Sequence, residues 1–270
     1  MADMDNKVLV NVAPVSAEDK VIIPEKIAED VYKCYKAGAA MVHLHVRDRE
    51  GRLTPDMSLL EETLAMIRRD SAIIIEVSTG GVSDLNIRER CAPLSSELVE
   101  ACSLTVGTTN LGTAVYCNPI DDVEYCIREI LKQKKTPEVE TFEIGHTWTM
   151  ARLMEKYDFA DPVLFRVVLG HEGEAPATPQ ALAAMIQMIP SNAVWGITQA
   201  HRKDFSLLAG ALGMGARTVR IGFEDSNYLD AQTQVTSNAP LVEKTVKLLR
   251  AMDKEPMLPD EARELFRIGR

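Results

Sequence analysis

The sequence is poor in aromatic side chains, only 5% of residues, and has no apolar run near the ~20 residues that a membrane-spanning helix needs. Cysteine is scarce as well. The five residues Cys34, Cys91, Cys102, Cys117 and Cys126 are odd in number and contain no C-x-x-C pair. That excludes a disulfide framework or a zinc knuckle and suits a reducing cytoplasm. Positive charge is in deficit, with 30 Lys and Arg against 40 Asp and Glu, a formal charge of −10. Nucleic acid and anionic membranes are therefore poor partners, although a local basic pocket remains open to a phosphorylated cofactor. The acidic start Met1-Ala2-Asp3-Met4-Asp5 leads straight into a strand-like run, so no signal peptide is expected and the protein reads as cytoplasmic.

What the chain does have is a regular alternation. Apolar, β-branched runs are expected as strands at Val8–Ala13, Ala39–Val46, Ala72–Ser78, Leu98–Val106, Val139–Ile144, Pro162–Leu169, Ala193–Thr198 and Arg217–Phe223. Helix-like segments separate them, the first opened by Pro24 and ended at Gly38. Strands that are apolar on both faces belong in a parallel sheet covered on both sides. Eight of them favour a closed (β/α)₈ barrel, a TIM barrel, over an open doubly wound sheet. No linker, repeat or low-complexity tract interrupts the pattern, so a single domain over 1–270 is expected. The tail from Pro256 to Arg270 is expected to form a C-terminal extension, an arm or interface element.

In such barrels, chemistry collects at the C-terminal ends of the strands. The second strand ends in His43-Leu44-His45, and side chains two apart in a strand point to the same side. Paired same-face imidazoles at a buried strand end suggest a divalent metal. The third strand ends in Ser78-Thr79-Gly80-Gly81, the fourth reaches Thr105, and the fifth carries Glu140 and Glu143. The eighth delivers Arg220, Glu224 and Asp225. In a closed ring the eighth strand lies near the second, so Glu224 can complete a site with His43 and His45. Two histidines and a carboxylate make a catalytic zinc arrangement, but Fe(II) sites use the same ligands. Arg220 interrupts an otherwise apolar strand and needs a carboxylate partner, for which Asp225 is nearest.

The runs Gly38-Ala39-Ala40-Met41-Val42-His43-Leu44-His45-Val46-Arg47-Asp48 and Val219-Arg220-Ile221-Gly222-Phe223-Glu224-Asp225-Ser226-Asn227-Tyr228-Leu229 are distinctive. With Ser78-Thr79-Gly80-Gly81 and Ser237-Asn238-Ala239-Pro240-Leu241-Val242, the chain resembles the β-keto acid cleavage enzymes from its first strand to its last helix. The resemblance implies a zinc-dependent barrel enzyme that converts a β-keto acid and acetyl-CoA into acetoacetate and a new acyl-CoA. It implies His43, His45 and Glu224 as Zn²⁺ ligands, Asp225 as base paired with Arg220, and Glu18 as an acid beside that pair. Ser78, Thr79, the Gly80 and Gly81 amides and Thr105 would hold the substrate's carboxylate and oxo group. Glu140 would face the substrate tail, with Glu143 on the same strand but of opposite parity. A homotetramer is also implied.

Three departures from the family pattern fall at the barrel mouth, one of them a few extra residues at Gly213-Met214-Gly215-Ala216-Arg217. Gly173 is followed by Glu174 where a second glycine is usual, and Gln199-Ala200-His201-Arg202 replaces a Gly-Arg pair. They bear on the CoA contacts and the substrate tail. A rival class is the metal-dependent amidohydrolases, for which His146, His171 and Asp225 are suitably spaced. There, however, the His-x-His pair lies on the first strand, and here a strand precedes it. A non-catalytic metal-holding barrel is a further alternative, but it leaves Arg220 and Asp225 without a purpose.

Overall fold

Strands that are apolar on both faces must be covered on both faces, and this chain does so by closing them into a ring inside a layer of helices. The computed structural model describes residues 4–269. The strands are β1 (Lys7–Val12), β2 (Met41–Leu44), β3 (Ile74–Val77), β4 (Ala101–Thr105), β5 (Thr109–Leu111), β6 (Ala114–Tyr116), β7 (Thr136–Thr141), β8 (Leu164–Leu169), β9 (Val194–Gln199), β10 (Thr218–Ile221) and β11 (Glu255–Pro256). The helices are α1 (Pro24–Ala37), α2 (Ser58–Asp70), α3 (Ile87–Arg90), α4 (Ile120–Lys132), α5 (Ile144–Lys156), α6 (Pro179–Ile186), α7 (Ser206–Gly213), α8 (Ala239–Ala251) and α9 (Pro259–Phe266). Neighbours run β10-β9-β8-β7-β4-β3-β2-β1, and parallel pairing of Val10 with Val219 closes the ring. The expected (β/α)₈ barrel is the fold. Among the described residues no helix is long and apolar enough to cross a membrane.

Strand parity sorts the side chains. On β1, Val8, Val10 and Val12 pack outward into the large core shared with the helices. Leu9 points inward and joins Met41, Ile74, Ala101 and Leu164 in an apolar layer at the barrel's N-terminal end. One step up each strand the interior turns polar, with Asn11, Glu76, Glu138 and Arg166 all buried. The helices are bounded by local chemistry. In α1, Pro24 occupies the first turn, and Gly38, at φ +115 in the left-handed region, donates its amide to Cys34 and Tyr35 carbonyls.

The structure departs from the sequence expectation in three places. The fifth barrel strand is Thr136–Thr141 rather than Val139–Ile144, because extended Glu143 already precedes α5. The hairpin β5–β6, unexpected from the sequence, follows the fourth barrel strand. The C-terminal segment is not a free arm. β11 pairs with the start of β1, Lys7 opposite Glu255 and Val8 opposite Pro256. Met257, Ala262, Phe266 and Ile268 then seal the apolar layer from below. An apolar layer open to water at one end would be unfavourable, and this tail covers it. Phe266→Ala is expected to lower unfolding stability by about 3–5 kcal/mol, the usual cost of emptying a buried aromatic site. Urea titration of the variant against the parent measures it.

Candidate metal and active site

The segment after β10 turns back over the barrel mouth because Gly222 lets it. Its φ is +141, and a Cβ there would lie 2.2 Å from the Ala13 carbonyl oxygen. The chain therefore passes close to the end of β1, and the Glu224 amide bonds the Ala13 carbonyl at 3.2 Å. Asn238, fully buried, fixes the same segment. It accepts from the Phe223 amide at 2.9 Å and donates to the Pro14 carbonyl at 3.1 Å and to Asp30 at 2.6 Å. The Ser237-Asn238 motif thus positions Glu224 and Asp225 rather than contributing chemistry of its own.

Glu224 arrives opposite the two histidines. Its Oε1 lies 3.9 Å from His43 Nε2 and 3.5 Å from His45 Nε2. One donor atom from each of the three residues lies within 4.8 Å of the others, and this is the cluster of that kind among the described residues. His43 is 2% exposed, and burial pushes its pKa down to about 4, so the ring is neutral at pH 7. Its Nδ1 is 2.9 Å from Glu76 Oε2, which leaves Nε2 for the Glu224 side. His45 Nδ1 is buried without a partner. Burial opposes ionisation of Glu224, but Arg220 and the two imidazoles together outweigh it and hold the carboxylate well below the usual range. Two imidazoles and an ionised carboxylate with an open side fit a divalent metal.

Arg220 lies beside this cluster and is 5% exposed. Its Nε and Nη2 fork onto Asp225 at 3.2 and 2.9 Å, and Nη2 also reaches Glu224 at 3.3 Å. Burial disfavours the cation, but Asp225, Glu224 and Glu140 together hold it charged. Glu140 receives Arg220 Nη1 at 2.9 Å and the Thr105 hydroxyl at 3.2 Å, so both of its oxygens are engaged. Ser78 Oγ accepts from the Gly80 amide at 3.1 Å. Gly81 has φ +129, and a Cβ there would lie 2.6 Å from Leu53 Cδ1 and 3.8 Å from the His45 ring. Thr79 is turned toward β4, where its hydroxyl bonds the Ser103 carbonyl at 2.7 Å.

The structure thus gathers His43, His45, Glu224, Arg220, Asp225, Glu140, Thr105, Ser78, Gly80 and Gly81 at one mouth. It does not bring Glu18 there. That residue is exposed on the loop after β1, where its amide bonds Ser16, and it makes no contact with Arg220 or Asp225. Glu143 is half-buried at the start of α5, with burial raising its pKa. The amidohydrolase ligand set does not assemble. His146 Nδ1 accepts the Phe142 amide at 3.3 Å, and the His171 ring packs 5.7 Å from His201. His201 has φ +53, a conformation that glycine adopts freely and that matches the Gly-Arg pair expected there. Glu174, another departure, has both carboxyl oxygens buried without a partner, and burial together with Glu143 and Glu140 pushes it up to about 8.

Sequence reasoning missed Tyr116 and the polar layer under the histidines. The Tyr116 hydroxyl, carried by the β5–β6 hairpin, reaches Thr105 at 3.3 Å and occupies the space a Cβ on Gly80 would need. Glu76 and Arg166 each interrupt an apolar strand as Arg220 does, so the same signal was present.

The chain belongs to the β-keto acid cleavage enzyme family, whose model matches residues 11–268. It is 32% identical over 259 residues to a 3-keto-5-aminohexanoate cleavage enzyme of Fusobacterium nucleatum, covering 94% of each chain. A 3-dehydrocarnitine:acetyl-CoA trimethylamine transferase of Rhizobium meliloti is 30% identical over 295 residues, with 98% of each covered. Among solved structures, a binary complex of ObcA with oxaloacetate superposes with a TM-score of 0.75 at 20% identity, over 92% of this chain and 67% of that one. That likeness speaks for the fold.

Proposed function

We propose that this protein cleaves a β-keto acid with acetyl-CoA, giving acetoacetate and the acyl-CoA of the remaining fragment, and that His43, His45 and Glu224 hold a zinc ion for the purpose. The observation that carries the reading is the Arg220–Asp225 fork set directly against the two-histidine, one-carboxylate cluster. When bound there, a divalent metal supplies Lewis-acid polarisation of the substrate's oxo group.

The protein's own residues do the rest. Arg220 keeps Asp225 oriented and charge-balanced, and Asp225 takes a proton from C2 of the β-keto acid. The Ser78 hydroxyl and the Gly80 and Gly81 amides orient the substrate carboxylate, and Thr105 faces the oxo group. The C2 carbanion attacks the acetyl thioester and expels CoA thiolate. The thiolate adds to the 3-oxo carbon, the C2–C3 bond breaks, and the new acyl-CoA forms. Acetoacetate leaves as a carbanion that recovers the proton from Asp225, so the cycle consumes none. A panel of β-keto acids incubated with acetyl-CoA, followed by acetoacetate release, tests the assignment. Acetoacetate formation that does not depend on acetyl-CoA, or none with any member, would overturn it.

Tail selection falls to a different carboxyl than the resemblance implies. Glu140 is engaged by Arg220 and Thr105, whereas the Glu174 oxygens are unpartnered. Glu140→Val should therefore lower kcat for every substrate. Glu174→Gly should instead reduce the kcat/KM preference for an amino-bearing over an alkyl β-keto acid by about 10-fold, the scale of one lost charged hydrogen bond. Measuring both ratios in both variants separates the two roles. A tail ratio that moves only with Glu140→Val would return that role to Glu140.

A further inference from the structure

Directly beneath His43 the barrel interior contains a layer that stability alone does not explain. Glu76 is fully buried at the centre of β3 and is aligned opposite His43 in the β2–β3 register. One of its oxygens, Oε2, meets His43 Nδ1 at 2.9 Å and the Asn11 amide nitrogen at 2.8 Å. The same Asn11 nitrogen lies 3.5 Å from Glu138 Oε2, and Glu138 is ion-paired with Arg166. These residues come from β1, β3, β7 and β8, and they tie Glu76 across the width of the barrel.

The layer is not fully satisfied. Glu76 Oε1, Asn11 Oδ1 and Arg166 Nε have no hydrogen-bond partner. Two buried carboxyls share one guanidinium, and burial pushes Glu138 up to about 7 against the pull of Arg166. One step lower in the same barrel, the equivalent layer is Leu9, Met41, Ile74, Ala101 and Leu164. An apolar filling is therefore what this barrel uses where nothing above needs support. Buried charge that could be replaced by apolar side chains is commonly neutral or unfavourable for stability.

We propose that Glu76 is a positioning residue for the metal, and that Asn11, Glu138 and Arg166 serve to hold its carboxyl under His43. By accepting the Nδ1 proton, Glu76 fixes the tautomer and ring plane of His43 and aims the Nε2 lone pair at the His45–Glu224 side. This inference rests on the metal reading above. Its effect is on affinity for the ion rather than on the reacting atoms, and outer partners of this kind typically change metal affinity by about 10–100-fold.

Zinc affinity of the purified full-length protein, measured by competition with a chromophoric chelator at fixed pH, tests it alongside the melting temperature of the metal-free form. Glu76→Gln keeps the shape and removes the charge, and should weaken zinc about 10-fold. Glu76→Met removes the acceptor altogether and should weaken zinc about 100-fold. In Glu76→Gln, which keeps an acceptor for His43 and Asn11, the metal-free protein should melt at or above the parent temperature, because a buried carboxylate charge has been relieved. A structural filler would behave the other way, with a lower melting temperature and unchanged zinc affinity in the folded fraction, and that result overturns the proposal. A parent protein that binds no zinc would instead remove the metal reading itself.

Discussion

Asp225→Asn is expected to keep the metal, bind the β-keto acid with little change in KM, and lose turnover by about 10²–10⁴-fold, the range over which a positioned base acts. The substitution keeps the shape of the side chain and at least one contact with the Arg220 fork, now 2.9 and 3.2 Å from the two carboxylate oxygens. What it removes is the charge that accepts the C2 proton. Zinc content, KM and kcat measured on one preparation separate this from collapse of the site. An unchanged kcat would place the base elsewhere. Glu18, the next acid that the family resemblance suggests, would then have to move in from its exposed position on the loop after β1.

His45→Ala is expected to lose metal and activity together while the barrel stays folded. His45 is the cleaner ligand to remove, because its Nδ1 already has no partner and Glu224, which its Nε2 meets at 3.5 Å, keeps Arg220 at 3.3 Å. Removing His43 would strip Glu76 of a 2.9 Å contact and add a buried, unbalanced carboxyl to the result. Elemental analysis should show one zinc per parent chain and none in the variant, with the metal-free melting temperatures equal. Stoichiometric iron in the parent would reject zinc while leaving the ligand set intact. Full activity in a metal-free variant would reject the Lewis-acid role.

Much of this was legible because the periodicities are strong. Eight continuous apolar strands have few arrangements in which both faces are covered, so the barrel and the same-side placement of His43 and His45 follow from parity. Arg220 was readable because a guanidinium inside an apolar strand needs a partner, and its partner Asp225 is five residues away. Glu76, Glu138 and Arg166 obey the same logic, but their partners are on other strands, 65 residues apart for the Asn11–Glu76 bond and 127 for Asn11–Glu138. Long-range pairing of that kind depends on register, which periodicity does not supply. For Glu140, pairing with an arginine was open as an alternative to facing the substrate tail, but which arginine was not legible, since Arg220 lies 80 residues away. The tail read as an arm because its apolar residues have no visible partner until the barrel's lower layer is known.

The connectivity of β1 bears on how the protein is made. Its neighbours are β2, β10 and β11, and the last two lie near the far end of the chain. At synthesis rates of about 5–20 residues per second, β1 waits on the order of 10–50 seconds for those partners to leave the ribosome. Throughout that interval the half-built sheet has two open edges, each able to pair with another nascent chain. Ring closure through Val10 and Val219 therefore cannot precede the synthesis of β10.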